Sequence, residues 1–287
     1  MAAKPLVKPK SALPNLFTLA NAGVGLLAIS KGIDALAGDP ALFERRLETA
    51  CWLIFLAMVF DALDGRLARL TSTSSDFGAQ LDSLADALTF GVAPALLAKV
   101  LLEHEEFLHP RLHFFGAAVF VLMAILRLAR FNLETGHEEE AHAHFAGLPS
   151  PAAAGTVTAA ILMCLSLGGS IEFGNGEPTP LGKGLGIVPL EAREALATGV
   201  LGLIAVLLPV LGLLMVSRVR YRHLGTLLSV RRPRGLVVIV IVVLLLYLAP
   251  VPFLFFFGLG YVGRGLLRRP LANLRHARMR RAERRAG

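Results

Sequence analysis

Cysteine is nearly absent: Cys51 and Cys164 are the only two, and both lie inside apolar stretches. That excludes a disulfide framework or a zinc site as the organising device. Charge is sparse, at 17% of residues, and acids are the scarcer sign, 21 against 29 lysines and arginines. The net charge of +8 comes with no aromatic-rich basic module and no RNA-binding signature, so nucleic acid is not an expected partner. Its arginines gather at the ends of apolar segments, which suits an anionic membrane surface. No internal repeat is visible. The apolar run after MAAKPLVKPK lacks a small-residue cleavage site and reads as a retained first span, not a signal peptide.

What the chain does have is hydrophobic length. At 55% hydrophobic residues and a mean hydropathy of +0.63 it reads as an all-α polytopic membrane protein. Eight apolar segments fit a bilayer window: 14–31, 46–66, 80–102, 112–132, 149–168, 195–216, 235–249 and 251–267. The last two are short and meet at Ala249-Pro250-Val251-Pro252, which predicts a tight C-terminal helical hairpin, with one long kinked helix as the alternative. The residues after the spans, 268–287, form a basic tail.

Eight spans put both termini on one side. Lys4, Lys8, Lys10, Arg66, Arg69, Arg127, Arg130 and the arginines of 218–234 fall on that side, and the positive-inside rule assigns it to the cytoplasm. Arg45 and Arg46 oppose the scheme, offset by Asp34, Asp39, Glu44 and Glu48. The expected location is the cell (plasma) membrane, with the site described next at its cytoplasmic edge.

Four carboxylates stand in the stretch from Phe60 to Gly91: Asp61, Asp64, Asp82 and Asp86. The first pair is three residues apart and the second four, so on helices each pair shares a face. Gly65, Ala68 and Gly78 are small enough to let a backbone or ligand approach, and Arg69 is a cation suited to phosphate. Carboxylates within membrane-grade segments are costly, and they mark function by default. Oxygen ligands without histidine or cysteine suit a hard divalent ion, Mg²⁺ or Mn²⁺. Two such ions clamping a pyrophosphate would use all four acids. A pyrophosphate at the membrane edge points to a nucleotide-activated lipid attacked by an acceptor hydroxyl, one carboxylate taking the proton. Spacing alone does not say which carboxylate. An ion-coupled transporter is the competing class, but inverted repeats and paired broken helices are not seen.

The run Asp61-x2-Asp64-Gly65-x2-Ala68-Arg69-x8-Gly78-x3-Asp82-x3-Asp86 resembles, without a gap, the signature of the CDP-alcohol phosphatidyltransferases. The resemblance implies a six-helix membrane core, here followed by the hairpin, and a homodimer. It implies two metals held by the four aspartates, Asp86 as general base, and a CDP cradle of Asp61, Asp64, Gly65, Ala68, Arg69 and Gly78. Residues 1–217 would be the family's membrane domain, 218–267 a basic loop and hairpin, and 268–287 a cytoplasmic tail.

Three further stretches resemble the phosphatidylserine synthase branch: Leu13 to Asn21, Arg127 to Asn132, and Phe145 to Ala154, with Ser217 to Tyr221 beside them. Related phosphatidylglycerophosphate synthases tend to carry arginine where this chain has Asn21. The resemblance implies CDP-diacylglycerol and L-serine as substrates; glycerol 3-phosphate or an inositol phosphate is the alternative acceptor. Asn15, Thr18 and Asn21 share a helix face and can reach the nucleotide or the metal shell, or serve helix packing. Arg127 and Arg130, one turn apart, can pair with the serine carboxylate and a lipid phosphate, or snorkel to headgroups as anchors. Gly136 to His144 reads as a solvated loop rather than a metal site. Ser72 to Ser75 read as a turn, not a nucleophile.

Overall fold

The structure, a computed structural model, describes residues 12–71, 76–135, 147–168, 188–219, 221 and 233–267. Among these, every regular element is a helix. In chain order they are α1 (Ala12–Ala37), a 3-10 turn (Pro40–Leu42), α2 (Phe43–Thr71), α3 (Asp76–Asp86), a π-helical stretch (Ala87–Val92) and α4 (Ala93–His104). They continue with α5 (Pro110–Thr135), α6 (Ser150–Leu167), α7 (Leu190–Val216), α8 (Pro233–Leu248) and α9 (Pro250–Leu267).

Six helical runs are long and apolar enough to cross a membrane: Asn15–Ala37, Phe77–His104, Pro110–Leu133, Ser150–Leu167, Ala192–Val216 and Pro250–Leu267. These match six of the eight expected segments. The other two differ for separate reasons. At 29 residues α2 is long enough, but Glu48, Asp61, Asp64 and Arg66 interrupt its apolar stretch. At 16 residues α8 extends only about 24 Å, short of a hydrocarbon layer of about 30 Å.

The C-terminal pair also departs from the expected hairpin. Only Ala249 separates α8 from α9, and helical bonding continues on both sides of it: Ala249 N–H donates to Leu245 O at 2.9 Å and Phe253 N–H to Ala249 O at 3.0 Å. A packed hairpin would bury a face of α8, yet Leu244 to Leu248 are all exposed. Pro250 and Pro252 remove two donors without enough intervening chain to form a loop, so they interrupt the ladder instead of building a turn.

α1 docks through a seam that repeats every three or four residues: Thr18, Asn21, Gly25, Ala28, Gly32 and Ala35, all buried. Small residues at that spacing bring backbones together, which substitutes for the hydrophobic drive that lipid does not supply. At Gly25 the approach is closest, since a Cβ there would lie 2.3 Å from Thr89 Oγ1. α2 lies along α1. Arg46, one of the two arginines at odds with the charge rule, donates to the Asp34 carbonyl at 2.6 Å and so caps the end of α1.

α6 is the central helix, buried along almost its whole length among α2, α4 and α7. α9 joins them: Val251, Phe255 and Val262 form its buried face, and a Cβ on Gly258 would come 2.9 Å from Thr156 Oγ1 of α6.

The π-helical stretch has a local cause. Pro94 has no N–H for the Phe90 carbonyl, and the ladder shifts register just before it, with Ala93 N–H reaching back five residues to Leu88 O. The shift begins directly after Asp86.

Candidate active site

The end of α2 and the start of the α3 run converge beside the start of α1. Oxygens of Asp61, Asp64 and Asp82 all lie within 4.8 Å of one another. Asp64 is buried, while Asp61 and Asp82 are half-buried. Asp86, one turn after Asp82, stands outside that group of three, yet it is close enough to feel the charge of Asp61, Asp82, Asp64 and Arg127. Three carboxylates this close are hard oxygen donors without a soft partner, a donor set that fits a divalent cation of the Mg²⁺ or Mn²⁺ type. Without such a cation their mutual repulsion opposes the arrangement.

α1 orients the carboxylates. Thr18 Oγ1 donates to Asp64 Oδ2 at 3.0 Å, and Asn21 Nδ2 lies 3.5 Å from Asp86 Oδ1. Asn21 Oδ1 is buried and without a hydrogen-bond partner among the described residues. The Asn21 carbonyl accepts from Thr89 Oγ1 at 3.3 Å, so the π-helical stretch and α1 are tied beside Asp86. Asn15 sits one turn before Thr18, half-buried.

Around Gly65 there is open space, with nothing within 4 Å of where a Cβ would stand, so a ligand can reach the α2 backbone between the aspartates and Arg69. Gly78 lies near the start of α3, half-buried. The side chains of Ala68 and Arg69, the serines of 72–75 and the loop 136–144 lie outside the described residues.

The two arginines of α5 part company. Arg127 is half-buried, close to Asp86, and donates from a guanidinium nitrogen to Ser150 Oγ at 2.7 Å. Arg130 is exposed. The two thus differ in exposure although one turn apart: three residues on a helix separate side chains by about 60° around the axis, enough to turn one inward and leave the other exposed. Asn132, two residues on, accepts from Ser83 Oγ at 3.1 Å, next to Asp82.

Two stretches far apart in sequence meet here. Gly147 N–H donates to Val219 O at 2.8 Å and Leu148 N–H to Leu214 O at 3.0 Å, joining the turn before α6 to the end of α7. Gly147 has φ +98°, and a Cβ would lie 2.1 Å from the Met215 carbonyl oxygen, so only glycine fits. The Pro149-Ser150-Pro151 turn then starts α6 with Ser150 fully buried against Arg127. Ser150 is a site neighbour that the sequence does not mark as one. Its signal was its place between two prolines in the Phe145 to Ala154 stretch. Just beyond, Tyr221 packs on Tyr261 of α9 with ring centroids 5.5 Å apart. Burial, with Tyr261 adding, pushes the Tyr221 phenol up to about 12, so it is neutral at working pH.

Comparison with known proteins agrees with this geometry. Residues 11–208 match the family model described as CDP-alcohol phosphatidyltransferase. A CDP-diacylglycerol–serine O-phosphatidyltransferase of Helicobacter pylori (strain J99) is 33% identical over 215 residues, covering 75% of this chain and 73% of that protein. The same-named protein of H. pylori strain 26695 is 34% identical over 175 residues, 61% of this chain and 66% of the relative. An archaetidylserine synthase of Methanothermobacter thermautotrophicus is 39% identical over 149 residues, 51% of this chain and 56% of the relative. With most of the chain matched and its aspartates gathered at one end of a helical membrane bundle, the protein belongs to the CDP-alcohol phosphatidyltransferase family.

Proposed function

We propose that the protein transfers the phosphatidyl group of CDP-diacylglycerol to L-serine, giving phosphatidylserine and CMP. The observation that carries this reading is the placement of Asp86 and Arg127 beside, but not within, the cluster of Asp61, Asp64 and Asp82. The relatives named as serine phosphatidyltransferases support serine as the acceptor.

Asp61, Asp64 and Asp82, with Asp86 at the edge, would hold divalent metal, two ions of Mg²⁺ or Mn²⁺. When bound, the metal supplies the positive charge that a pyrophosphate needs as CMP departs. The open backbone at Gly65, with Ala68, Arg69, Gly78, Asn15 and Thr18, cradles the CDP group. Arg127 faces the acceptor carboxylate, and Arg130 at the rim faces a lipid phosphate. Asp86 accepts the proton of the serine hydroxyl while its oxygen bonds to the diacylglycerol-bearing phosphorus. The bond from that phosphorus to the CMP oxygen breaks, and CMP carries away the electron pair. No covalent enzyme intermediate is required. The protein works as a homodimer in the cell membrane, with this site and both termini on the cytoplasmic face.

An acceptor panel tests the reading. Purified protein, CDP-diacylglycerol and Mg²⁺ or Mn²⁺ are combined with serine, glycerol 3-phosphate or an inositol phosphate, and CMP is followed. Serine is expected to give the fastest release, abolished by EDTA and restored by either ion. Faster release with glycerol 3-phosphate would overturn serine as the acceptor.

A further inference from the structure

A cavity of about 210 Å³ lies between the end of α4, the start of α5 and the middle of α7. It is remote from the aspartates: along α5, His113 in its wall and Arg127 beside Asp86 are about 21 Å apart. Leu112, Phe115 and Val206 line it and are each more than half exposed. All three belong to helical runs long and apolar enough to cross a membrane, so the cavity opens to acyl chains rather than to water.

Two places break the apolar wall, and both are hydrogen-bond acceptors. His113 is only 2% exposed, and its Nε2 donates to the Phe107 carbonyl. In the neutral ring that leaves Nδ1 as an acceptor, and it has no partner among the described residues. The other is the Ala205 carbonyl. Pro209 stands four residues further along α7 without an N–H to return, and both residues line the cavity. Among the described residues the wall holds no lysine, arginine or hydroxyl side chain. An occupant must therefore bring the donor. An apolar cavity of about 150 Å³ takes a molecule the size of benzene, so this one has room for a small ring or a short stretch of chain.

We propose that this cavity binds a membrane-dissolved alcohol, its hydroxyl donating to one of the two acceptors and its apolar body lying along Leu112, Phe115 and Val206. A carboxylate does not fit, because it would bring acceptors to acceptors. An alkane fits the shape but leaves both acceptors unpaired, which is costly when they are buried.

The test is photolabelling of the purified full-length protein in detergent by an octanol carrying a diazirine, with the labelled peptides identified by mass spectrometry. Label is expected on 108–116 and 205–209. Octanol should displace it at a concentration about three- to ten-fold lower than octane, the range of one hydrogen bond. The double variant His113→Phe with Pro209→Ala removes the ring nitrogens and gives the Ala205 carbonyl an N–H, so that difference should fall to about one. Gly116→Ala keeps both acceptors: its Cβ would meet Leu208 and Pro209 at 3.6 Å, an ordinary contact, while taking space from the cavity. Labelling there should drop about twofold or more. Label confined to other segments, or equal displacement by octane and octanol in the wild-type protein, overturns the proposal. So does an undiminished octanol preference in the double variant. If that variant does not fold, the wild-type comparison and Gly116→Ala decide the matter, and unchanged labelling in Gly116→Ala counts against the site.

Discussion

Replacing Asp86 by asparagine separates its role from that of the other three aspartates. The change is isosteric and removes one proton acceptor. Asp61, Asp64 and Asp82, whose oxygens lie within 4.8 Å of one another, are left intact. Asn21 Nδ2 lies 3.5 Å from Asp86 Oδ1, at the limit of a hydrogen bond, so little binding energy is at stake there. A general base contributes about 10²–10⁴ in rate, equivalent to roughly 3–5 kcal/mol of barrier. Turnover in Asp86→Asn should therefore fall by that factor, while the affinity for CDP-diacylglycerol changes only a few-fold. The metal-free protein should be no less stable to heat, because one of four crowded negative charges has gone. Single-turnover CMP release gives the first quantity, binding of a non-reactive CDP-lipid analogue the second, and a thermal melt in detergent the third. Turnover within about fivefold of wild type would refute the assignment, because no general base is worth so little.

Two further outcomes follow from the packing and a third from the distribution of charge. Gly147→Ala places a side chain at φ +98° and 2.1 Å from a backbone oxygen, so it should cost several kcal/mol and be seen as loss of folded protein by size-exclusion chromatography in detergent. Gly25→Ala gains helix propensity but drives a Cβ to 2.3 Å from Thr89 Oγ1, and overpacking of about 1–3 kcal/mol should lower the melting temperature, with Thr89→Ala restoring part of it. For topology, a cysteine near Ser74 in an otherwise cysteine-free variant should be shielded from an impermeant thiol reagent on intact cells, and one near Gly176 labelled; the reverse would invert the orientation.

The aspartates were legible because their spacing places each pair on one helix face, and the helices meet where those faces point. Thr18 and Asn21 were legible as a polar face of α1, though only the fold shows that one reaches Asp64 and the other Asp86. Arg127 and Arg130 read alike in sequence, because the inward and outward sides of α5 depend on α4, the π-helical stretch and α7 together. Pro250 and Pro252 fit a hairpin or one kinked helix equally in sequence, because proline marks a missing donor and does not say whether the chain reverses or only bends. The link between Gly147 and Val219 spans 72 positions and has no local signal beyond the glycine itself. Arg46 opposed the charge rule because that rule counts charges, while this side chain is engaged with the end of α1.

The central position of α6 has a consequence for how the protein is made. Of the helices around it, α2 and α4 are synthesised before it and α7 and α9 after it. Its polar residues Thr156, Thr158 and Ser166, all buried in the finished bundle, have their full surroundings only once those later helices arrive. The backbone bonds that seat its first turn, from Gly147 and Leu148 to Val219 and Leu214, wait on the end of α7. Ser150, and through it Arg127, is thus locked late in synthesis, well after the aspartates have been inserted. A chain stalled before α7 would carry the clustered carboxylates into the bilayer without a seated Ser150–Arg127 pair beside them, an immature form lacking half of the site's surroundings.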